Sequence, residues 1–512
     1  MTYFFETYGC QMNIAESAAI EQLLLSRKWT KAEDAQVADL VIINTCSVRA
    51  TAENRIFGRL GWYSGLKAVR SGDKSAKGKF LEKAVEYVKD GPKPLTLVVT
   101  GCMAERLLKT LQKDYPFIDY VVGTYAKQYF GQIIEAMEKH TIAGQLDDDV
   151  PYEFSPLSLE PGAFTAFVPI MHGCNNFCTY CIVPYVRGRE CSRPVCEILK
   201  EIDVLSSYGV REITLLGQNV NSYQGMYDSV AGRYGEQTEK STPLEGVASN
   251  EVRARGRNAT LTSFLSYSND IGTENSLSPS GLVDFAGLLQ IIADHLRETK
   301  SSIEWVRFMS SHPKDLSDAV IEVIAKEPVL CHHIHLPVQH GSSEVLRRMN
   351  RRYTREQYLE LVAKIKKAIP DVSLTTDLMM GFPGETEEDV EEVLSLMKEI
   401  RYENAFMYYY NPREGTPATK MEGQIPEKVK KDRLQRVIDL QLKITAEEMQ
   451  KRVGTVAKVL VESVSRDNKD ELLGKTEQDE RVAFKAEKSL IGSFVRVKIE
   501  ALSGNTFKGA LL

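Results

Sequence analysis

Three segments near the N-terminus share a pattern that strongly limits how the chain can fold. Each has a run of apolar and β-branched residues, then a cysteine, then a segment of helical character. The runs are TYFFETYGC, LVIINTC and LTLVVTGC, which end at Cys10, Cys46 and Cys102. Strands that alternate with helices favour a parallel sheet, whose carboxyl edge is the usual place for a ligand. We therefore predict an N-terminal α/β domain over residues 1–143 with the cysteines at one edge, the alternative being that each thiol packs in the core.

A second strand and helix series follows a linker at about residues 144–163. Its candidate strands are AFVPIMHGC, EITLLGQNVNS, WVRFMSSHP, HIHLPVQHG, SLTTDLMMG and NAFMYYYNP. Six such units predict a partial (βα)6 barrel over residues 160–224 and 282–445, with functional groups on the loops after the strands. A Ser, Gly and Asn-rich stretch at 225–281 interrupts the series. We interpret it as a surface insertion with no chemistry of its own.

The last part of the chain changes character. A charged helical segment over about 426–452 precedes short strand patterns separated by turn residues. The strand patterns are TVAKVLVESV, RVAFKA, SFVRVKIEAL and FKGALL. They predict a small all-β barrel over residues 446–512, so the fold class is α/β with an all-β C-terminal domain.

Composition limits the class of protein. The chain has 512 residues, 43% hydrophobic and 26% charged, which is typical of several globular domains. It has no basic segment followed by a long apolar run at its start and no run of about 18 apolar residues, so we expect no signal peptide, no membrane span and a cytoplasmic location. Its nine cysteines should then serve metal binding or catalysis rather than disulfides. The net charge of −6 gives no global sign of a polyanionic partner, which would need a local basic face.

The densest group of cysteines is GCNNFCTYC, residues 173–181, with Cys174, Cys178 and Cys181. Three thiolates can hold an iron–sulfur cluster and leave one iron open to a substrate. Structural zinc needs four ligands. A fourth ligand could come from His172, Cys191 or Cys196. Spacing alone leaves both kinds of site possible.

The pattern C-x3-C-x-aromatic-C, with Tyr180 in the aromatic place, resembles the signature of the radical S-adenosylmethionine (SAM) enzymes. This resemblance implies that the open iron binds the amino and carboxylate groups of SAM. One electron then cleaves SAM to methionine and a 5′-deoxyadenosyl radical, which abstracts hydrogen from an unactivated carbon.

Further motifs narrow the resemblance. YGCQMNIAES, INTCSVRATAENR, TGCMAER, HGCNNFCTYCIVPYVRGRE, HLPVQHGS, DLMMGFPGET and YNPREGTPA resemble the methylthiotransferases over nearly the whole chain outside 225–281. The resemblance implies an auxiliary [4Fe–4S] cluster on Cys10, Cys46 and Cys102, and it makes the C-terminal barrel a TRAM RNA-binding domain. It also implies that one SAM methylates a cluster-associated sulfur, that a second yields the radical, and that an unstacked base is held between the clusters.

The segments NTCSVRATAENR, which contains Arg49 and Glu53, and GCMAER resemble the branch that inserts a methylthio group at C2 of N6-isopentenyladenosine 37 in tRNA. The alternatives are the branches acting on threonylcarbamoyl-adenosine 37 and on a ribosomal protein. On this resemblance we expect the tRNA anticodon stem-loop and a low-potential electron donor as partners, two [4Fe–4S] clusters and SAM as cofactors, and a monomer without membrane contact. Two non-enzyme alternatives stay open, an iron–sulfur RNA-binding sensor and a zinc-stabilised RNA-binding protein.

The resemblance suggests six cofactor-binding candidates. One is Tyr180 in the cysteine motif, and the others lie at strand ends and are Gly217, Gln218, Asn219, Thr376 and Asp377. The structural alternative for Asn219 is a turn, and for Asp377 a pair with an arginine.

Other noticeable residues are expected to serve the fold. GFPGETEEDV could be taken for a phosphate loop, but it lacks the required motif. Thr386 and Asp389 should instead cap the helix that follows. At least one of Tyr408, Tyr409 and Tyr410 should pack rather than stack a base, because successive strand residues face opposite ways. Barrel packing is likewise expected, rather than a metal cluster, for Cys331, His332, His333 and His335.

Overall fold

The computed structural model describes residues 1–47, 50–73, 93–144, 152–227 and 281–512. Within these ranges the chain forms two compact units. The first unit contains residues 1–173 and 182–190, and the second contains the remainder. Arg49 and residues 228–280 of the predicted insertion lie outside the described residues.

A five-stranded parallel sheet forms the centre of the first unit, in the order β2-β1-β3-β4-β5. Its strands are β1 (Thr2–Thr7), β2 (Thr30–Lys31), β3 (Leu40–Thr45), β4 (Thr96–Gly101) and β5 (Tyr120–Val122). The unit also contains β6 (Thr165–Pro169) and β7 (Met171–His172). Its helices are Gln11–Ser26, Ala50–Arg70, Cys102–Arg106, Leu108–Asp114, Phe130–Glu138 and Val183–Val186. The parallel sheet and its three predicted strands are confirmed, with β2 and β5 added at the edges.

Both faces of this sheet are buried. Val41 and Ile43 of β3 belong to one core cluster, and Leu40 and Ile42 belong to another. Alternate residues of a strand point to opposite faces, so β3 contributes to both layers of helices. This explains its uninterrupted apolar sequence, which is typical of a central parallel strand.

The second unit begins its strand series with β8 (Cys191–Ser192), β9 (Glu212–Leu216), β10 (Gln224–Met226), β11 (Leu282–Asp284) and β12 (Trp305–Phe308). It continues with β13 (His333–His335), β14 (Ser373–Met380) and β15 (Asn404–Tyr409). β9 pairs in parallel with β12, and β14 pairs in parallel with both β13 and β15. The helices are Val195–Ser207, Phe285–Glu298, Asp318–Lys326, Ser343–Arg348, Arg355–Ala368, Glu387–Ile400 and Glu427–Gln450. With β6, all six strands predicted for the barrel series are present.

Several of these helices begin at side-chain caps. Asp284, Ser317 and Thr354 each accept a hydrogen bond from a backbone N–H of the first turn. Thr386 and Asp389 form the predicted capping box of helix Glu387–Ile400. Caps of this kind satisfy N–H groups that have no partner inside the helix.

The C-terminal residues form a closed barrel in the order β16-β17-β18-β20-β19. Its strands are β16 (Val456–Val464), β17 (Glu471–Thr476), β18 (Arg481–Lys485), β19 (Phe494–Ser503) and β20 (Thr506–Leu511). The prediction missed β17, whose sequence ELLGKT has only two apolar residues beside a glycine. That glycine has a packing reason, because a Cβ at Gly474 would lie 2.5 Å from the carbonyl oxygen of Leu460.

β10 and β11 form a short antiparallel pair, in which Met226 lies opposite Leu282. The ends of the predicted insertion are therefore held side by side. In the described ranges, we find no helix with the length and apolar character needed to cross a membrane.

Candidate active site

Cys10, Cys46 and Cys102 lie at the carboxyl ends of β1, β3 and β4, which are neighbours in the sheet. β3 pairs with β1 as far as Asn44 and with β4 as far as Thr45, so all three strands end at the same edge. The structure thus brings together the three positions that the sequence pattern singled out.

Two glycines let the cysteine-bearing segments approach closely. Gly9 has a φ of +138°, and a Cβ there would lie 2.6 Å from the Cβ of Cys46. Gly101 has a φ of +95°, and a Cβ there would lie 2.2 Å from the carbonyl oxygen of Thr45. A side chain at either position would push the strand ends apart, so the glycine before Cys10 and the glycine before Cys102 are requirements of the site.

A buried amide network supports this edge. Asn13 Nδ2 donates to Asn44 Oδ1 at 2.8 Å and to the carbonyl oxygen of Thr45 at 3.0 Å. Asn13 Oδ1 lies 3.3 Å from Cys10 Sγ. The helix after β1 is thereby tied to the end of β3, which orders the backbone around Cys10 and Cys46.

A buried charge cluster lies beside Cys102. Arg187 Nε donates to Cys102 Sγ at 3.2 Å, and Arg187 Nη1 donates to Glu16 Oε1 at 2.8 Å. Lys127 forms an ion pair with the same carboxylate. Burial alone would raise the pKa of Glu16, but the charges of Arg187 and Lys127 lower it to about 2. Burial raises the pKa of the Cys102 thiol, and the charge of Arg187 opposes that rise.

His172, considered above as a possible fourth zinc ligand, packs against Arg187 of the buried charge cluster. Its ring stacks on that of Tyr152 with centroids 3.7 Å apart, and its Nδ1 lies 3.4 Å from Arg187 Nη1. Burial lowers its pKa well below the ordinary value, so the imidazole is neutral. Glu53 accepts a hydrogen bond from Arg106 Nη2 at 2.8 Å, which gives it a structural partner.

The second cysteine group lies in the loop at 174–181, where Cys174 and Cys178 are buried and Cys181 is half-buried. The segment after helix Ser343–Arg348 holds this loop. Asn350 Nδ2 donates to the carbonyl oxygens of Asn176 and Phe177 at 3.2 and 3.0 Å. The N–H of Thr179 donates to the carbonyl oxygen of Met349 at 3.1 Å. Backbone groups of the loop are therefore held in place by hydrogen bonds to Met349 and Asn350.

Arg351 lies directly beside this loop. Its Nη1 lies 3.4 Å from Cys178 Sγ, its Nη2 donates to the carbonyl oxygen of Pro337 at 2.7 Å, and its Nε donates to the Tyr353 hydroxyl at 3.0 Å. The side chain is thus fixed in the interior, in contact with one of the three thiols.

Tyr180 contributes its ring to an apolar cluster with Met349, Phe382 and Tyr410. Its ring meets that of Phe382 edge to face, with centroids 6.5 Å apart. Tyr410 is fully buried and Tyr408 donates to Gln339 Oε1 at 2.6 Å, so one of the three consecutive tyrosines does pack, as predicted.

Gly217, Gln218 and Asn219 begin the loop after β9. Asn219 Nδ2 donates to Asp315 Oδ2 at 2.7 Å. Its Oδ1, and Oε1 of Gln218, are buried and have no hydrogen-bond partner among the described residues. Nearly all buried polar atoms in folded proteins are bonded, so these two acceptors on successive residues are available to a ligand.

Three further polar groups, two in the loop after β12 and one in the loop after β9, were not selected by the sequence analysis. Ser311 Oγ, His312 Nε2 and Asn221 Nδ2 are buried and likewise lack a partner within the described ranges. The N–H of His312 donates to Asn221 Oδ1 at 2.9 Å, so the loops after β9 and β12 are in contact. The signal for Ser311 and His312 was their place at the end of the predicted strand WVRFMSSHP, the same signal that selected Asn219.

Thr376 and Asp377 lie within β14. The Thr376 hydroxyl donates to the carbonyl oxygen of Leu336 at 2.9 Å and accepts from the N–H of Val338 at 3.0 Å. The Asp377 carboxylate lies 3.7 Å from His335 Nε2 and 3.5 Å from Gln339 Nε2. Asp377 therefore faces a histidine and an amide instead of the arginine considered above, and SAM contacts at these two positions stay predictions.

The cysteine and histidines around β13 pack as expected. Cys331 is buried, His332 pairs with Asp371 at 2.8 Å, and His335 Nδ1 lies 3.0 Å from Thr375 Oγ1. Over the described residues as a whole, no three His, Cys, Asp or Glu side chains converge closely enough to hold one metal ion. The thiolates of an iron–sulfur cluster each bind a different iron, so they are spaced more widely than the ligands of a single ion.

Three family models match successive parts of the chain. Residues 2–123 match "Uncharacterized protein family UPF0004", residues 168–397 match "Radical SAM superfamily", and residues 450–512 match "TRAM domain". A tRNA-2-methylthio-N(6)-dimethylallyladenosine synthase of Treponema denticola is 48% identical over the full length of both chains. The chain belongs to this synthase family. Synthases of Treponema pallidum and Clostridium botulinum are 46% and 40% identical, covering 100% and 99% of this chain and 99% and 95% of their own.

The fold of this synthase family member resembles that of a solved radical SAM methyltransferase from Kitasatospora setae, with a TM-score of 0.50 and 13% identity over 81% of this chain and 76% of that one. That structure contains cobalamin and a [4Fe–4S] cluster. Membership of the radical SAM superfamily implies SAM and a [4Fe–4S] cluster for this synthase family member too. Its residues fit both groups, since three thiols share one ordered loop and five buried polar atoms of the loops after β9 and β12 have no protein partner among the described residues.

Proposed function

We propose that the chain is a radical SAM methylthiotransferase that converts N6-isopentenyladenosine at position 37 of tRNA to its 2-methylthio derivative. The N-terminal group of cysteines, Cys10, Cys46 and Cys102, carries this proposal, because it is present in addition to the group at 174–181. A radical SAM enzyme needs only one such group to cleave SAM, whereas methylthio transfer also needs a source of sulfur. Cys10, Cys46 and Cys102 provide a second place for a cluster, at the edge of the N-terminal sheet.

Two [4Fe–4S] clusters are therefore proposed, one on Cys174, Cys178 and Cys181 and the other on the N-terminal three. When bound, they and SAM supply the radical chemistry and the sulfur. The chain itself provides an ordered loop for one cluster, close strand ends for the other, and buried guanidinium groups beside both.

The open polar groups after β9 and β12 suit the methionine part of SAM. Gln218 Oε1 and Asn219 Oδ1 are acceptors for an ammonium group. His312 Nδ1 accepts the N–H of Lys314 at 3.2 Å, which leaves the ring proton on Nε2 as a donor. Burial lowers the pKa of His312 well below its usual value, so the ring stays neutral and can act in this way. Donors and acceptors are thus both available to an amino acid ligand.

The C-terminal barrel offers a surface for RNA. Lys458 Nζ lies 4.3 Å from the centre of the Phe494 ring, and Arg496 follows on the same strand as Phe494. Cations interleaved with an aromatic ring suit phosphates and an unstacked base. We propose that this surface contacts the anticodon stem-loop, and that the monomeric enzyme acts in the cytoplasm with a low-potential electron donor.

Nucleoside mass spectrometry of tRNA tests the proposal. Cells lacking the gene are complemented with the wild-type chain, Cys10→Ala, Cys178→Ala or Cys196→Ala. The wild type and Cys196→Ala, which alters a thiol outside both groups, should restore 2-methylthio-isopentenyladenosine. Cys10→Ala and Cys178→Ala should accumulate isopentenyladenosine.

Two results would contradict the assignment. If the wild type restores a methylthio derivative of threonylcarbamoyl-adenosine instead, the substrate is wrong. If anaerobic protein with reconstituted clusters, SAM, dithionite and tRNA that carries isopentenyladenosine gives neither 5′-deoxyadenosine nor a modified nucleoside, the chain is a sensor and not an enzyme.

A further inference from the structure

Each group of cysteines has one buried arginine in contact with one of its sulfur atoms. Arg187 Nε lies 3.2 Å from Cys102 Sγ, and Arg351 Nη1 lies 3.4 Å from Cys178 Sγ. Both side chains are almost fully buried. Hydrogen bonds from cations to ligand sulfurs are among the ways in which a protein sets the reduction potential of an iron–sulfur cluster.

The two arginines differ in how their charge is balanced. Arg187 forms an ion pair with Glu16 at 2.8 Å, and Lys127 lies against the same carboxylate. Arg187 therefore has a carboxylate partner inside the protein before any cluster binds, and it shares that partner with Lys127.

Arg351 has neutral partners instead. It contacts the carbonyl oxygen of Pro337, the hydroxyl of Tyr353 and, with its guanidinium carbon 5.4 Å from the ring centre, the face of Tyr353. Among the residues that the structure describes, no carboxylate forms an ion pair with Arg351. A buried cation without a counter-charge is costly, so an anion is expected beside it. The thiol of Cys178 is the group in that position.

We infer that Arg351 is a positioning residue whose counter-charge is the cluster held by Cys174, Cys178 and Cys181, and that it raises the reduction potential of that cluster. The inference rests on the proposed function only in assigning a cluster to these cysteines. A [4Fe–4S] core with three thiolates carries a net negative charge, which grows by one unit when an external reductant adds an electron. A fixed cation beside it stabilises the reduced form more than the oxidised form.

The test uses the full chain carrying Cys10→Ala, Cys46→Ala and Cys102→Ala, reconstituted without oxygen so that one proposed cluster site remains. Its reduction by dithionite is followed by electron paramagnetic resonance, and iron content is measured alongside. Three variants are compared in this background. Arg351→Gln removes the charge, Arg351→Lys keeps it, and Arg352→Gln removes the charge of the neighbouring exposed residue.

Arg351→Gln should lower the equilibrium constant for reduction at least about tenfold, which is about 59 mV for one electron. Arg351→Lys should shift the potential by less than half as much, and Arg352→Gln should leave it unchanged. Failure of the Gln variant to take up iron, while the Lys variant takes it up, also supports the inference.

Three results would overturn the inference. The first is an Arg351→Gln variant with the iron content and reduction potential of the parent. The second is an Arg352→Gln variant whose potential shifts as much as that of Arg351→Gln. The third is loss of iron from both Arg351→Gln and Arg351→Lys. A wrong proposed function would be detected by a different measurement. It would change the nucleosides found in tRNA with the wild-type chain, and it would not change the reduction potentials of the Arg351 variants.

Discussion

At the scale of single residues, the glycine before Cys102 decides whether the N-terminal site can form. Gly101 has φ +95° and ψ −168°, a conformation that is essentially open to glycine alone. We predict that Gly101→Ala lowers the free energy of unfolding by about 1–3 kcal/mol. It should also reduce the iron bound at the N-terminal cysteines, because the strand ends would separate. Urea unfolding and iron analysis after anaerobic reconstitution measure the two effects.

Gly58 provides the matched control. It lies in helix Ala50–Arg70, is exposed, and has nothing within 4 Å of the position that an alanine methyl group would occupy. Gly58→Ala should therefore stabilise the protein by about 0.5–1 kcal/mol, since alanine is the better helix former. Equal stability of Gly101→Ala and the wild type would show that the close approach to Thr45 is not a constraint.

The sequence could predict residues that belong to local patterns, but not those that act from a distance. The cysteines and Asn219 follow apolar runs, so their place at strand ends could be foreseen. Arg187 and Arg351 contact cysteines 85 and 173 positions away in the chain, and no periodic pattern connects them. Such contacts are decided by tertiary packing, which a single sequence does not display.

At the scale of elements, one buried carboxylate links barrel strands to the C-terminal barrel. Glu212 of β9 is 2% exposed, lies 3.1 Å from Arg307 Nε of β12, and lies 2.6 Å from Lys475 Nζ of β17. Arg307 also donates to the carbonyl oxygens of Thr476 and Glu477 at 2.8 and 2.6 Å. Within the second unit, β17 is thus attached to the β9–β12 pair by charge as well as by backbone hydrogen bonds.

Glu212→Gln should lower the free energy of unfolding by about 3–5 kcal/mol, because it removes the carboxylate partner of the buried Arg307 and leaves Lys475 with only Glu462. Glu304→Gln is the control, since Glu304 also pairs with a lysine of the C-terminal barrel, Lys458, but is 39% exposed. That change should cost less than about 1 kcal/mol. Urea unfolding of both variants measures the difference, and equal losses would refute a special role for the buried pair.

Elements with clear apolar runs were predictable, and polar or interrupted ones were not. β1, β3, β4 and the six barrel strands follow from their composition. β17 was missed because ELLGKT shows little apolar character, and its role depends on Lys475 reaching a carboxylate in another part of the chain. The single helical segment expected after Cys102 is divided at Leu107, where the backbone leaves the helical conformation.

At the scale of the whole molecule, the order of modules could be predicted because a linker separates two strand–helix series and the last part of the chain has only strand patterns. The matches to the UPF0004, radical SAM and TRAM models follow the same order along the chain. What could not be foreseen was the grouping into two compact units, in which the barrel strands β9 and β12–β15 share a unit with the C-terminal barrel. The buried contacts of Glu212 and Arg307 give a physical reason for that grouping.

Because β10 pairs with β11, the free energy of unfolding should depend on the length of the chain between them. Met226 and Leu282 lie opposite each other, so replacing residues 228–280 by Asn-Gly leaves a four-residue hairpin loop, a common length. Loop-closure entropy changes by about 0.6 kcal/mol for each halving, so nearly four halvings should stabilise the protein by about 2 kcal/mol. The shortened enzyme should unfold at a higher urea concentration and still form the methylthio nucleoside. Loss of product with iron retained would instead give the natural segment a role in catalysis or tRNA binding.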